Sequence, residues 1–242
     1  MRYLVFSDIH GNVEALYRVL EELEVLRPDI VVSLGDVVGY GANPGDCIEI
    51  VQTHTHIRIG GNHDLAAVGL TSSDDFNGTA KRAITWTSRN LNPTHRDMLE
   101  GYDTIRRHGD CLFTHASPIS PMDWEYVYTV PQAKEIFENF SEKFIFIGHT
   151  HVPGIITYRE RDGCAVASSQ TLQIEHGTRY LINVGSIGQP RDGIAAASFA
   201  LVDLKKGKIS IRRAPYDIVS AQQKIRSAGL PESLALRLAT AR

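Results

Sequence analysis

Short apolar runs, each broken abruptly by a polar cluster, recur through the first two thirds of the chain. Leu4-Val5-Phe6, Ile30-Val31-Val32, Ile57-Arg58-Ile59, Cys111-Leu112-Phe113 and Phe144-Ile145-Phe146-Ile147 have the length of buried strands and are too short for helices. Between the first of them the period changes. Leu16, Leu20, Leu23 and Leu26 recur at helical spacing, with Asn12 placed to cap the helix and Pro28 to stop it. A second helix is expected from Pro44, with Cys47, Ile48 and Val51 facing inward. From Leu65 to Tyr102 the pattern is mostly helical: Phe76, Ala80, Ala83, Ile84 and Thr87 share a face, and Pro93 opens a further helix. This helical insertion, about residues 65–102, is placed to rim a site.

Strands alternating with helices predict a parallel α/β sheet in the first half. The second half is strand-rich. Strands are expected at Ile155 to Arg159, Arg179 to Val184, Ser198 to Leu204 and Lys208 to Arg213, with Lys205-Lys206-Gly207-Lys208 as the turn joining the last two. Beyond Asp217 two short helices are expected, broken by Gly229-Leu230-Pro231, with Leu234 and Leu238 four apart. No repeat, low-complexity tract or linker divides the 242 residues. The expectation is one domain over residues 1–242, two sheets face to face with helices outside.

The polar clusters carry the chemistry. The five apolar runs lead into Asp8-Ile9-His10-Gly11-Asn12, Gly35-Asp36, Gly60-Gly61-Asn62-His63-Asp64, Thr114-His115 and Gly148-His149-Thr150-His151. Ligands of open α/β sheets bind beyond the carboxyl ends of strands, so these clusters can converge. Extended backbone alternates its side chains, so Asp8 and His10 are expected to point the same way, as are His149 and His151. Carboxylate oxygen mixed with imidazole nitrogen, without thiolate, suits manganese, iron, zinc or nickel, whereas calcium and magnesium normally take oxygen alone. A carboxylate such as Asp36 can bridge two cations about 3.5–4 Å apart. Water bound there becomes hydroxide near neutral pH, its pKa lowered to roughly 7, and can attack a phosphoryl group in line. His63, with Asp64 beside it, is then the candidate to protonate the departing alkoxide.

Taken singly, most of these residues have bland readings. Asp8 and Gly35-Asp36 could be turns, His115 a satisfied core histidine, and Asn12 is better read as a cap than as a ligand. His54 and His56 precede a strand, at its end away from the clusters, and read as solvated turn residues. Trp86, Trp124, Tyr126 and Tyr128 read first as core aromatics rather than a substrate wall, although the Ser117 to Thr129 loop follows His115 directly. The order and company of the motifs outweigh the single readings: five of the ten histidines fall inside them.

Composition narrows the setting. A net charge of −3, from 25 basic and 28 acidic residues, leaves no overall electrostatic footprint for nucleic acid. Cys47, Cys111 and Cys164 are too few and too scattered for a disulfide framework or a zinc ribbon, which fits a reducing cytoplasm. The apolar start ends at Ser7-Asp8, too short for a signal peptide, and no later run could span a bilayer. A cytoplasmic protein acting on a small phosphoester is expected, with no membrane partner and an oligomeric state the sequence does not set.

The motif set from Asp8 to His151 resembles the calcineurin-like metallophosphoesterase superfamily, in particular its compact bacterial and archaeal phosphodiesterase-like members, and family-like residues continue to about Gly193. The resemblance implies an α/β fold, a four-layer αββα sandwich with two mixed sheets and a dinuclear metal site at the C-terminal ends of the strands. It implies that Asp8, His10 and His151 hold one metal, that Asn62, His115 and His149 hold the other, and that Asp36 bridges them. His63 would be the proton donor, oriented by Asp64, and the ions manganese first, with iron, zinc, nickel or magnesium as alternatives. Two departures matter. Protein phosphatases and diadenosine tetraphosphatases of the superfamily carry Asp-Arg-Gly where this chain has Gly39-Tyr40-Gly41, and an Arg where it has Gly60. Without those phosphate-gripping arginines the reading leans toward diesters, with Arg191 a possible substitute beside Asn62 and His63 in binding substrate. The expected activity is a metal-dependent phosphodiesterase. The alternatives are a phosphomonoesterase or nucleotidase, a nuclease, a protein phosphatase, or a noncatalytic scaffold of the same fold.

Overall fold

The computed structural model describes residues 1–242. Its elements in chain order are β1 (Arg2–Phe6), α1 (Val13–Leu26), β2 (Ile30–Ser33), α2 (Pro44–His54), β3 (Ile57–Arg58), α3 (Asn62–Val68), α4 (Gly78–Asn90), α5 (Pro93–Glu100), β4 (Ile105–His108) and β5 (Cys111–Thr114). There follow α6 (Val130–Asn139), β6 (Phe144–Ile147), β7 (Gly154–Arg159), β8 (Gly163–Val166), β9 (Thr171–Gln173), β10 (Arg179–Asn183), β11 (Ala197–Asp203), β12 (Lys208–Ala214), α7 (Ile218–Ser227) and α8 (Glu232–Thr240). No helix is long and apolar enough to cross a membrane.

The strands form two mixed six-stranded sheets, in the orders β3-β2-β1-β11-β12-β9 and β4-β5-β6-β10-β7-β8. Each holds a parallel trio: β1, β2 and β3 in the first, β5, β6 and β10 in the second. Alternation along the strands explains why the sheets stack. Tyr3 and Val5 of β1 join Val202 of β11 and Phe113, Phe144, Phe146 and Tyr180 of the second sheet in the core between the sheets. Leu4 and Phe6 point the other way, into a core built with Val13, Leu16 and Val19 of α1 and Cys47, Ile48 and Val51 of α2. On the far side Leu112, Ile145, Ile147 and Leu181 of the second sheet meet Ala133, Ile136 and Phe137 of α6. Helices outside two face-to-face sheets give the αββα layers expected from the sequence.

The strands that pattern reading did not anticipate, β4, β8 and β9, are all edges of their sheets. They are short and half exposed, so they carry little of the apolar alternation that marks a buried strand. Helix α6 was also not anticipated, although its signals are local: Thr129 and Gln132 form a capping box around Pro131. The expected Asn12 cap is present, its side chain accepting from the Ala15 N–H while its amide donates to the Gly188 carbonyl. Helices α7 and α8 pack together, and with Tyr40, Ala80 and Ala83 they close a fourth cluster over the mouth of the parallel strands. The chain end is tied down there, the Gly193 N–H donating to the Ala241 carbonyl.

Candidate functional site

All six parallel strands of the two trios end at the same edge of the sandwich, and the five polar clusters follow five of them. Backbone hydrogen bonds lock the loops side by side. The N–H groups of Asp8, His10 and Gly11 donate to the carbonyls of Gly35, Asp36 and Val37, and the Gly188 N–H donates to the Asp8 carbonyl, each at 2.9 Å. The Gly148 N–H does the same to His115 across the second sheet. Asp8, His10, Asp36, His149 and His151 take φ values of 55°, 50°, 51°, 64° and 59°. These are left-handed conformations, so the side chains converge because the loops hold them in a sparsely populated region, not because they alternate along extended backbone as the sequence suggested. Two glycines are required by close approach: a Cβ on Gly61 would overlap Asp36 Oδ1, and one on Gly148 would overlap Ser7 Oγ and crowd Asp8 Oδ2.

The converging atoms form two groups that share one carboxylate. Asp8, His10, Asp36 and His151 make the first, and Asp36, His115 and His149 the second, all buried. In the first, His151 Nε2 lies 3.2 Å from Asp8 Oδ1 and 3.1 Å from His10 Nε2. In the second, His115 Nε2 lies 3.1 Å from His149 Nδ1. Asp36 Oδ2 faces both, 3.6 Å from His10 Nε2 and 3.4 Å from His115 Nε2, while Oδ1 accepts the His63 N–H at 2.9 Å. Two nitrogens each about 2.0–2.1 Å from one ion are roughly 3–3.4 Å apart, so the imidazole pairs have the spacing of shared coordination.

Polar atoms around these groups are prepared for a cation. His10, His115 and His151 each hold Nδ1 against a backbone carbonyl, of Val38 at 3.0 Å, Leu34 at 2.9 Å and Gln189 at 2.6 Å. A carbonyl only accepts, so Nδ1 carries a proton and, in the neutral ring, the Nε2 lone pair faces inward. Asp8 Oδ1 and Asn62 Oδ1 are buried without a hydrogen-bond partner, as is His149 Nε2. An unpartnered buried oxygen is costly, and a cation would satisfy it. Asn62 opens α3 between Gly61 and His63, both of which touch Asp36. Oxygens from Asp and Asn with imidazole nitrogens, and no thiolate, suit borderline divalent ions.

Charge is balanced unevenly across the floor. Burial pushes the carboxyls of Asp8 and Asp36 up, but the surrounding imidazoles outweigh it and hold both below the usual range. Burial pushes His10 and His151 down, and His149 down to about 3. His115 is the exception: burial lowers it, yet Asp36 and Asp8 reverse that and raise it to about 9.

His63 sits beside the floor with its ring 4.9 Å from His10, 4.5 Å from Tyr40 and 4.6 Å from Phe76. Its Nδ1 is buried without a partner, and burial lowers its pKa to about 4 against the opposing pull of Asp36. The expectation that Asp64 orients this ring needs correction. Asp64 follows His63 on α3, about 100° further round the helix, and its carboxylate accepts instead from the N–H groups of Val38 and Gly61. Burial, and then the nearby Asp36, push that carboxyl up to about 7. Asp64 therefore braces the loops after β2 and β3.

The rim was the least legible part. Tyr40 contacts both His10 and His63 and has φ 58°. Arg191 reaches over its ring, 6.0 Å from the centroid, with Nε buried and unpartnered. Tyr126 and Tyr128 were read as core aromatics, but they are 43% and 61% exposed. Tyr126 stacks on His149 at 4.1 Å and on Tyr128 at 5.5 Å, a shelf beside the floor. Trp124 meets His115 edge-on, whereas Trp86 lies away on α4, and His54 and His56 are exposed as expected.

Known proteins resemble this chain in sequence and in shape. Residues 1–207 match the calcineurin-like phosphoesterase superfamily domain. An uncharacterized protein of Methanocaldococcus jannaschii is 37% identical over 238 residues, 97% of this chain and 96% of that one. The crystal structure of a metallophosphoesterase from Sphaerobacter thermophilus is 39% identical and superposes with a TM-score of 0.87, covering 100% of this chain and 99% of that one. A hypothetical protein from Pyrococcus horikoshii shares the fold at 20% identity, with a TM-score of 0.82 over 100% and 98% of the two chains. With its sequence match over most of its length and a buried Asp/His cluster at the strand ends, the chain belongs to the calcineurin-like phosphoesterase superfamily.

Proposed function

We propose that the protein is a metal-dependent phosphodiesterase holding two divalent ions, manganese first among them. The observation that carries the reading is Asp36 Oδ2, one oxygen facing two histidine groups at 3.6 and 3.4 Å. Asp8, His10 and His151 would hold one ion with Asp36, and Asn62, His115 and His149 the other. Bound ions there supply charge neutralisation of a phosphoryl group and a water whose pKa is lowered to roughly 7.

The side chains do the rest. Backbone carbonyls fix His10, His115 and His151 in the tautomer that leaves Nε2 bare. His63 carries the proton to the leaving oxygen; its Nδ1 is buried against Gly39 without a hydrogen-bond partner, which leaves Nε2 as the nitrogen for the transfer. Its low pKa leaves it neutral at rest, and an anionic phosphate beside the ring favours the protonated form needed for the transfer. Arg191, extended over Tyr40, brings a positive charge to the mouth, and Tyr126 offers a flat wall to the ester group. No arginine stands at Gly39-Tyr40-Gly41 or at Gly60, which suits the single negative charge of a diester better than the dianion of a monoester.

The test is hydrolysis of bis-p-nitrophenyl phosphate against p-nitrophenyl phosphate, with Mn²⁺, Ni²⁺, Zn²⁺ or Mg²⁺ and an EDTA control. The diester should be cleaved with the higher kcat/KM and EDTA should abolish both activities. Failure on both substrates with every metal would leave a noncatalytic scaffold as the better reading.

A further inference from the structure

Next to Tyr40 lies a cleft of about 510 Å³ lined by Tyr40, Asn77, Thr79, Arg82, Ser233 and Arg237, with Gly78 and Leu234. Its volume falls within the roughly 300–1,000 Å³ of small-molecule sites. Its lining holds two arginines, three hydroxyl-bearing side chains and no carboxylate side chain. Arg237 spends Nε on the Arg242 carbonyl and leaves its terminal nitrogens free, and Arg82 is exposed. Arg191, outside that lining, lies over the ring of Tyr40, with its Nε buried and unpartnered. Burial lowers the pKa of Arg237, and the like charge of Arg191 adds to that. Two guanidiniums lining the cleft with Tyr40 and a third over the Tyr40 ring, with no carboxylate side chain in the lining, form a field that an anion would satisfy. Arg82 is reached through α4 and Arg237 through α8, and α8 lies beyond the 1–207 stretch that matches the family domain.

We propose that the Arg82–Arg237 cleft is a second anion site that binds a further phosphate of the substrate while the scissile phosphate lies at the Asp36 cluster. The preferred substrate is then a diester bearing another phosphate one Tyr40 ring away from the bond that breaks. This rests on the phosphodiesterase reading of the Asp/His cluster, and it adds the α4 and α8 elements as the specificity device of this chain. Guanidiniums suit the role, since they grip phosphate oxygens in pairs.

The decisive comparison uses the p-nitrophenyl ester of thymidine 5′-phosphate, with and without a phosphate on its 3′ oxygen, as substrates of the metal-loaded enzyme. Wild type should favour the 3′-phosphorylated ester by about tenfold or more in kcat/KM, chiefly through KM, and the advantage should shrink with salt. In Arg82→Ala combined with Arg237→Gln the ratio should fall to within about twofold of unity. A ratio near one in the wild type, an advantage retained by the double variant, or an equal loss on both substrates would overturn the proposal. Calorimetric binding of thymidine 3′,5′-bisphosphate against thymidine 5′-monophosphate needs no turnover. If no diester is cleaved, the hydrolase reading fails, while this titration of wild type against the double variant still decides the cleft: tighter bisphosphate binding that depends on the two arginines supports it, and equal binding refutes it.

Discussion

The floor and the rim of the site are built by opposite means. The floor is buried, held by backbone hydrogen bonds between adjacent loops, and made of residues that follow parallel strands in short motifs. The rim, half exposed apart from the buried Tyr40, gathers Tyr40, Phe76, Tyr126, Arg191 and Arg237 from distant segments, none within a motif that announces a site. Chemistry that needs fixed donors is written locally, where strand ends can impose left-handed backbone on aspartate and histidine. Choice of substrate is left to tertiary assembly, where side chains can change without disturbing the donors.

Substitutions should therefore act on the floor far more strongly than on the rim. Asp36→Asn removes the charge from the oxygen shared by both groups, and should lower kcat on the order of 10³-fold or more, with metal content falling in the same preparation. Metal analysis alongside kinetics checks this, and full metal content with full activity would break the distinction. His63→Ala should cost roughly 10²–10⁴ in kcat while metal content stays close to that of wild type. Loss of metal instead would make His63 part of the floor's donor set.

A smaller effect separates the two halves of the floor. In the metal-free protein His115 is raised to about 9 and carries a proton at neutral pH, whereas burial keeps His10 and His149 neutral there. A cation at His115 must displace that proton, so affinity for the His115 and His149 side should rise about tenfold per pH unit from 6 to 8. Calorimetry in two buffers of different ionisation enthalpy should register about one proton released for that ion. Equal pH dependence on both sides would remove the asymmetry. Smallest of all, Tyr126→Ala on the rim should raise KM for an aryl diester roughly 2–10-fold, the scale of one aromatic contact. A collapse of kcat would show that the stack serves His149 rather than substrate.

Legibility followed the same division. The parallel strands and the floor residues could be read from apolar runs ending in Asp, His and Asn, because burial on both faces and a fixed loop leave a dense local signal. Edge strands β4, β8 and β9 left little of it, since half-exposed residues tolerate almost any side chain. Asp64 misled because adjacency in sequence is not adjacency on a helix: its carboxylate caps Gly61 and braces Val38. The cleft of Arg82 and Arg237 was invisible because those residues are 155 positions apart and meet only when α8 folds back over Tyr40.

On the proposed reading, two ions bound around Asp36 would make this protein a phosphodiesterase. Titrating metal-free protein with Mn²⁺ while recording hydrolysis of bis-p-nitrophenyl phosphate tests it most directly. Activity should climb and reach its plateau at two equivalents of metal per chain, and EDTA should return it to zero. A plateau at one equivalent, activity indifferent to EDTA, or no hydrolysis at any stoichiometry would contradict the account.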